Sequence, residues 1–190
     1  MVAYSGGVDS TFLLKIAKGV LHDKVLAVTA RSPTYPREEI MAARKLAKKL
    51  KARHMIINTY ELNNPRFARN PVKRCYFCKQ ELFNKLKLIS RRNNLNYVCD
   101  GSNLDDLKDF RPGAIAKREM GIRSPLQEAG LTKEEIRSFS YVMKLPTWNK
   151  PSFACLASRF PYKTRISTVL LKRVGSAEEY LRKLHFRQVR

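Results

Sequence analysis

Ser5-Gly6-Gly7-Val8-Asp9-Ser10, the hexapeptide SGGVDS, separates two patterns of different period. Before it, Val2, Ala3 and Tyr4 read as the end of a short buried strand. After it, the stretch from Ser10 to Gly19 carries Phe12, Leu13, Ile16 and Ala17 on one face at helical spacing. The hexapeptide is therefore a strand-to-helix turn. Its adjacent glycines accept positive φ and let backbone N–H groups approach a ligand with no Cβ in the way. Successive N–H groups at a helix start, aided by the helix dipole, form an anion site to which Ser5 and Ser10 add hydroxyls. Phosphate is the natural guest. The plainer alternative is a glycine turn whose helix is capped by Asp9 or Ser10.

Two familiar phosphate loops are excluded. The Walker A spacing and its lysine are missing, and so is G-x-G-x-x-G. With 190 residues the chain can bury one full domain, or one domain plus a piece of another. No apolar run approaches the roughly 20 residues that span a bilayer, and no signal-peptide pattern precedes the loop. A cytoplasmic protein with no membrane partner is expected. In that reducing compartment four cysteines point to chemistry rather than disulfides. The 38 basic and 16 acidic residues give a formal charge of +22, which fits RNA or a polyanionic nucleotide as partner. Much of that charge lies on Arg37–Lys51, where Ile40, Ala43, Ala47 and Leu50 face inward and Arg44, Lys45, Lys48, Lys49 and Lys51 outward. A solvated helix face accounts for it without nucleic acid.

Strand and helix patterns alternate along the chain. Lys24–Ala30 reads as a second buried strand, Arg37–Lys51 as its crossover helix and His54–Thr59 as a third strand. A long helix is expected from Cys78 to Asn94, then a short strand at Tyr97–Cys99 before the Asp100-Gly101 turn. Thr132 and Glu135 make a capping box for a helix ending near Val142, Pro146 and Pro151 mark a linker, and another helix covers Val169–Leu184. This order implies an α/β fold with a doubly wound parallel sheet and ligands at the carboxyl ends of strands. The hexapeptide, Ala30–Ser32 and Asp100–Asp106 all fall at such ends.

Arg74-Cys75-Tyr76-Phe77-Cys78-Lys79 is the second signal. A C-x-x-C at a helix start brings two sulfurs together, and the helix end with Arg74 and Lys79 is expected to draw both toward thiolate. The pair alone is compatible with half a zinc site, a redox couple or two ligands of an iron–sulfur cluster, and no second C-x-x-C or H-x₃₋₅-H follows to favour zinc. Cys155, in FACLASRFPY, is a third candidate, whereas Cys99 lies in an apolar strand and reads as core.

Taken together, these pieces resemble the LarE family, the ATP-dependent sacrificial sulfur transferases of the PP-loop ATP pyrophosphatase superfamily. The matching segments are SGGVDS (5–10), RCYFCK (74–79), DGSNLDD (100–106), FRPG (110–113), RSPL (123–126), LTKEEIR (131–137) and PSFACLASRFPY (151–162), in order along nearly the whole chain. The resemblance implies a PP-loop domain of the HUP-like type over residues 1–145. It also implies a linker and the start of a truncated C-terminal substrate and sulfur-transfer domain over 146–190. It implies that ATP adenylates a carboxylate of pyridinium-3,5-biscarboxylic acid mononucleotide, that pyrophosphate leaves, and that sulfur displaces AMP on the route to the nickel-pincer cofactor of lactate racemase. A carboxylate oxygen is a poor leaving group and AMP a good one.

The family pattern also assigns residues. Ser5, Gly6, Gly7, Val8, Asp9 and Ser10 would hold the phosphates, with the adenine near Ala30 and Ser32. Asp9 would help hold Mg²⁺, and Glu178 is a second, weaker candidate for metal or substrate. Cys75, Cys78 and Cys155 fit the family's three-cysteine pattern and are expected to converge on one [4Fe–4S] cluster carrying exogenous sulfide. Failing that, Cys155 alone would be the sacrificial sulfur donor. Asn103, Asp105 and Asp106 would meet the ribose or order Mg²⁺ water, unless they only cap their turn. Arg111 offers a rigidly presented guanidinium, Ser158 and Arg159 would orient the substrate phosphate, and Arg190 would begin an arginine clamp. A sulfide or other sulfur donor, the other nickel-pincer biosynthesis proteins and a second copy of the chain are the implied partners. Two rivals remain. A tRNA thiolase of the same superfamily would need an RNA-binding module, and none is visible. A non-catalytic nucleotide-binding fragment would keep the loop and lose the reaction.

Overall fold

The computed structural model describes residues 1–109, 111–186 and 189, so Phe110 and Arg190 lie outside the described residues. Three strands, β1 (Val2–Ala3), β2 (Leu26–Arg31) and β3 (Arg53–Asn58), form a parallel sheet in the order β1-β2-β3. β1 sets Val2 against Ala27, and β2 runs in register with β3 from Leu26↔Arg53 to Arg31↔Asn58. On the other edge of β1, Cys99 bridges Val2 and also Arg123, both in parallel. The chain thus starts mid-sheet, winds outward through β2 and β3, then returns to the opposite side. That is the doubly wound plan, and the strand order reverses beside β1. The expected strand at Tyr97–Cys99 contracts to the single bridging residue Cys99.

Eight helices cover the described residues: α1 (Val8–Leu21), α2 (Arg37–Lys49), α3 (Pro65–Ala68), α4 (Arg74–Arg92), α5 (Pro112–Glu119), α6 (Pro125–Glu128), α7 (Lys133–Val142) and α8 (Thr168–Lys183). β2 is buried from Leu26 to Thr29, the apolar run of a strand covered on both faces. Its alternation explains the layers. Val25 and Ala27 face a core with Phe12, Leu14, Ala43, Ala47 and Ile136, supplied by α1, α2 and α7, and with Leu145 just beyond α7. Leu26 and Val28 face a second core with Phe83, Leu86 and Ala116, supplied by α4 and α5, and with Ile122 just beyond α5. A third cluster joins Phe67 of α3 to Leu156, Ala157, Ile166 and Leu171. The stretch after residue 146 is thereby seated on α3 and the start of α4. No described helix is long and apolar enough to cross a membrane.

Candidate functional site

The strand-to-helix turn is built as an open cradle. Gly7 caps α1 in extended geometry, and no side chain bonds the first-turn N–H groups. The serines close the loop on itself, with Ser5 Oγ 3.0 Å from Ser10 Oγ and accepting from the Gly7 N–H at 3.3 Å. Gly6 has φ +73°, and a Cβ there would stand 2.8 Å from the Cβ of Ala43 on α2. Gly101 approaches from the far side of the sheet reversal, where a Cβ would meet the Ser10 nitrogen at 2.9 Å. Glycine is therefore required at both places.

Around this cradle lies a cleft of about 620 Å³, a volume suited to a nucleotide. Ser5, Gly7, Val8, Asp9 and Ser10 form one wall, Asp100 to Asn103 with Asp105, Asp106 and Arg111 a second, and Lys150 to Phe153 a third. Within the second wall several side chains hold the turn itself. Asn103 and Asp106 form a capping box, and Asp105 accepts from the Lys133 N–H at 2.8 Å. Arg111 is held by Asp106 at 2.7 Å and Asp109 at 3.1 Å. Asp100, buried, accepts from Ser124 Oγ at 2.6 Å and Ser102 Oγ at 2.8 Å.

Sequence reasoning missed two lysines. Lys133 Nζ lies 2.5 Å from Asp9 Oδ2, while Asn103 Nδ2 donates to Asp9 Oδ1 at 3.2 Å. Lys150 Nζ donates to Glu39 at 2.7 Å and to the Gly6 carbonyl at 3.2 Å. A signal for Lys133 existed: it opens α7, where the helix dipole disfavours a cation, so a nearby anion should be expected. Lys150, in an irregular linker, carried no comparable mark.

Other expected residues sit elsewhere. Ala30 and Ser32 are not among the described residues lining the cleft; the Ser32 hydroxyl donates to buried Glu61. Glu178, also buried, is gripped by Arg159 at 2.5 Å and Arg182 at 2.6 Å. It joins α8 to the Cys155 segment and is not among the described residues lining the cleft, and two guanidinium groups oppose a divalent cation there. Ser158 Oγ donates to the Cys155 carbonyl at 2.7 Å, so Ser158 and Arg159 brace the turn after Cys155. The assignment of Arg190 lies outside the described residues.

The third cluster brings Cys78 and Cys155 together, and Cys75 lies near enough for its charge to bear on both. Cys78 and Cys155 pack on the same apolar group, and Cys75, one turn before Cys78 on α4, is exposed. The expected thiolate pair is corrected at Cys78. Burial, then Glu61, Cys155 and Cys75, push its thiol up to about 12 despite Lys79. Burial also raises Cys155, opposed by the Arg74 guanidinium. Arg74 does not flank the pair from solvent. It is buried, donating to Asn70 Oδ1 at 2.5 Å and to the Ala157 carbonyl at 2.8 Å. That contact, with Leu156 N–H to the Thr34 carbonyl at 2.9 Å, brings the Cys155 turn to α4. Tyr35 links the two regions: it lines the cleft, while its hydroxyl is held far above the usual phenol range by burial and by Cys155, Cys78 and Glu61.

Residues 1–94 match the family described as NAD synthase. The whole chain is 47% identical over 190 residues to an uncharacterized protein of Synechocystis, spanning 71% of it. It is 38% identical over 190 residues to the pyridinium-3,5-bisthiocarboxylic acid mononucleotide synthase of Lactiplantibacillus plantarum, spanning 69% of that enzyme. The chain belongs to the LarE family. A third relative, an uncharacterized protein of Methanocaldococcus jannaschii, is 30% identical over 182 residues, which are 96% of this chain and 69% of the relative. Membership makes the chain an ATP-dependent sulfurtransferase by class.

Asp9 is a carboxylate at the phosphate cradle, and Mg²⁺ typically takes one or two carboxylates plus phosphate oxygens. Asp9 thus fits the metal, which would neutralise charge on the departing pyrophosphate. A cluster fits less well. Among the described residues no three Cys, His, Asp or Glu side chains form a group able to hold a metal ion.

Proposed function

We propose that the chain adenylates a carboxylate of pyridinium-3,5-biscarboxylic acid mononucleotide and replaces the activated oxygen with sulfur from Cys155, yielding a thiocarboxylate for nickel-pincer cofactor synthesis. The observation that carries this reading is the third wall of the cleft. The stretch from Lys150 to Phe153 borders the phosphate cradle, and Cys155 follows two residues later. Activation and sulfur delivery are thus one segment apart. The L. plantarum relative is a synthase of pyridinium-3,5-bisthiocarboxylic acid mononucleotide, and that product supports the substrate class.

In this reading the first-turn N–H groups of α1 and the Lys133 and Lys150 ammonium groups receive the phosphates, and Asp9 helps hold Mg²⁺. The substrate carboxylate attacks the α-phosphorus, and pyrophosphate departs. Cys155 Sγ, losing its proton as it attacks, forms a thioester while the AMP oxygen leaves. Removal of the Cys155 Cα proton then breaks Cβ–Sγ, releasing the thiocarboxylate and leaving dehydroalanine. The Arg74 charge beside Cys155 favours the thiolate against burial. Residues 146–190, which carry Cys155, serve substrate binding and sulfur delivery in this reading. Labelled ATP tests the first half: AMP and pyrophosphate should form only with the pyridinium substrate present, whereas ADP and phosphate would refute adenylation. An anaerobic iron and sulfide assay separates this route from the cluster route, which requires stoichiometric iron and repeated turnover.

A further inference from the structure

Cys155 is not among the described residues lining the cleft, although Phe153 is. Its sulfur must travel to meet an adenylated carboxylate, and the architecture shows what holds it back. Four residues separate Lys150 from Cys155, and they form neither helix nor strand. Before this strap the backbone is fixed to α7, since Arg137 donates to the Trp148 carbonyl at 2.6 Å and the Lys150 carbonyl at 3.0 Å. At its start the Lys150 ammonium is tied to the phosphate loop itself, through the Gly6 carbonyl and Glu39. Midway, Phe153 packs on Tyr35 with ring centres 6.4 Å apart.

We propose that Lys150 is a positioning residue that couples nucleotide binding to the reach of Cys155. The proposal rests on the adenylating function above. Lys150 and Glu39 both line the cleft and are partly exposed, so incoming phosphates compete directly for the ammonium. A carbonyl dipole and one carboxylate offer it less negative charge than a triphosphate does. When the ammonium turns to the phosphates it leaves Gly6 and Glu39, and the strap from Pro151 to Ala154 shifts, carrying Cys155 toward the cleft. The thiol is then presented only when an activating nucleotide is in place, which limits wasteful reaction of a donor that is used once.

Alkylation of Cys155 by iodoacetamide, read at that residue by peptide mass spectrometry in the full chain, tests the coupling. In the wild type, saturating Mg²⁺ with α,β-methylene-ATP should accelerate it about fivefold or more, the scale of ordinary coupling between sites. Lys150→Met, which gives up one phosphate contact and is therefore assayed at analogue concentrations that calorimetry shows to saturate it, should lose the acceleration, and Lys150→Arg should restore it. Glu39→Gln, which keeps the lysine and removes one tether, should raise the nucleotide-free rate. A full wild-type response in Lys150→Met, or an unchanged nucleotide-free rate in Glu39→Gln, overturns the coupling while leaving adenylation intact. Failure of the wild type to bind the analogue in calorimetry overturns both.

Discussion

At Asp9 one carboxylate answers to Lys133 and Asn103, and it borders the phosphate cradle. Asp9→Asn preserves the size of the side chain, so the fold should survive while Mg²⁺-dependent pyrophosphate release falls by about a hundredfold or more, as for loss of an electrostatic group at developing charge. Wild-type release from that variant would remove Asp9 from the mechanism. Gly6 is a test of backbone rather than charge. Gly6→Ala forces a Cβ against Ala43 at positive φ and should cost about 1–3 kcal/mol, read from urea unfolding. Cys78 gives the pH test. Its folded pKa of about 12 exceeds its ordinary 9.0, so folding favours the neutral thiol. That contribution is full below pH 9 and is lost as pH rises toward about 12. The wild type should therefore lose more stability over that window than Cys78→Ala does, measured by denaturant midpoints.

The helix that begins at Lys133 shows how far local sequence reaches. Thr132 accepts from the Glu135 N–H and Glu135 answers at the Thr132 N–H, as the T-K-E-E pattern foretells. Thr132→Ala should cost about 1 kcal/mol. It should also raise the KM for ATP by loosening Lys133 from Asp9, and an unchanged KM would dissociate the cap from the site. The alternation of strands and helices was legible for the same reason: Ala27 and Val28 must face opposite cores, and the chain writes that as an apolar run. What escaped reading depends on burial and distant partners. Nothing beside Arg74 in the chain announces that it turns inward to the Ala157 carbonyl, so the cysteine pair looked more cationic than it is. Ser32 reads as a strand-end hydroxyl, and only the folded chain reveals buried Glu61 as its acceptor. Lys150 owes its place to a linker whose course no periodicity describes.

Across the whole molecule the charge of +22 contrasts with a cleft that is lined by Asp9, Glu39, Asp100, Asp105, Asp106 and Asp109 against Lys79, Arg111, Lys133 and Lys150. The excess basic charge is spread over helix faces, so tRNA should associate weakly and be released as salt approaches the physiological range, measured by filter binding. A tRNA complex that persists there and becomes thiolated would favour the thiolase reading. The two halves of the proposed chemistry meet at Cys155, and its fate is the most direct test of the whole. After one turnover with ATP, Mg²⁺ and the pyridinium substrate, peptide mass spectrometry should find Cys155 converted to dehydroalanine in proportion to the thiocarboxylate formed. Product formed with Cys155 intact, or formed at the wild-type rate by Cys155→Ala, would contradict it.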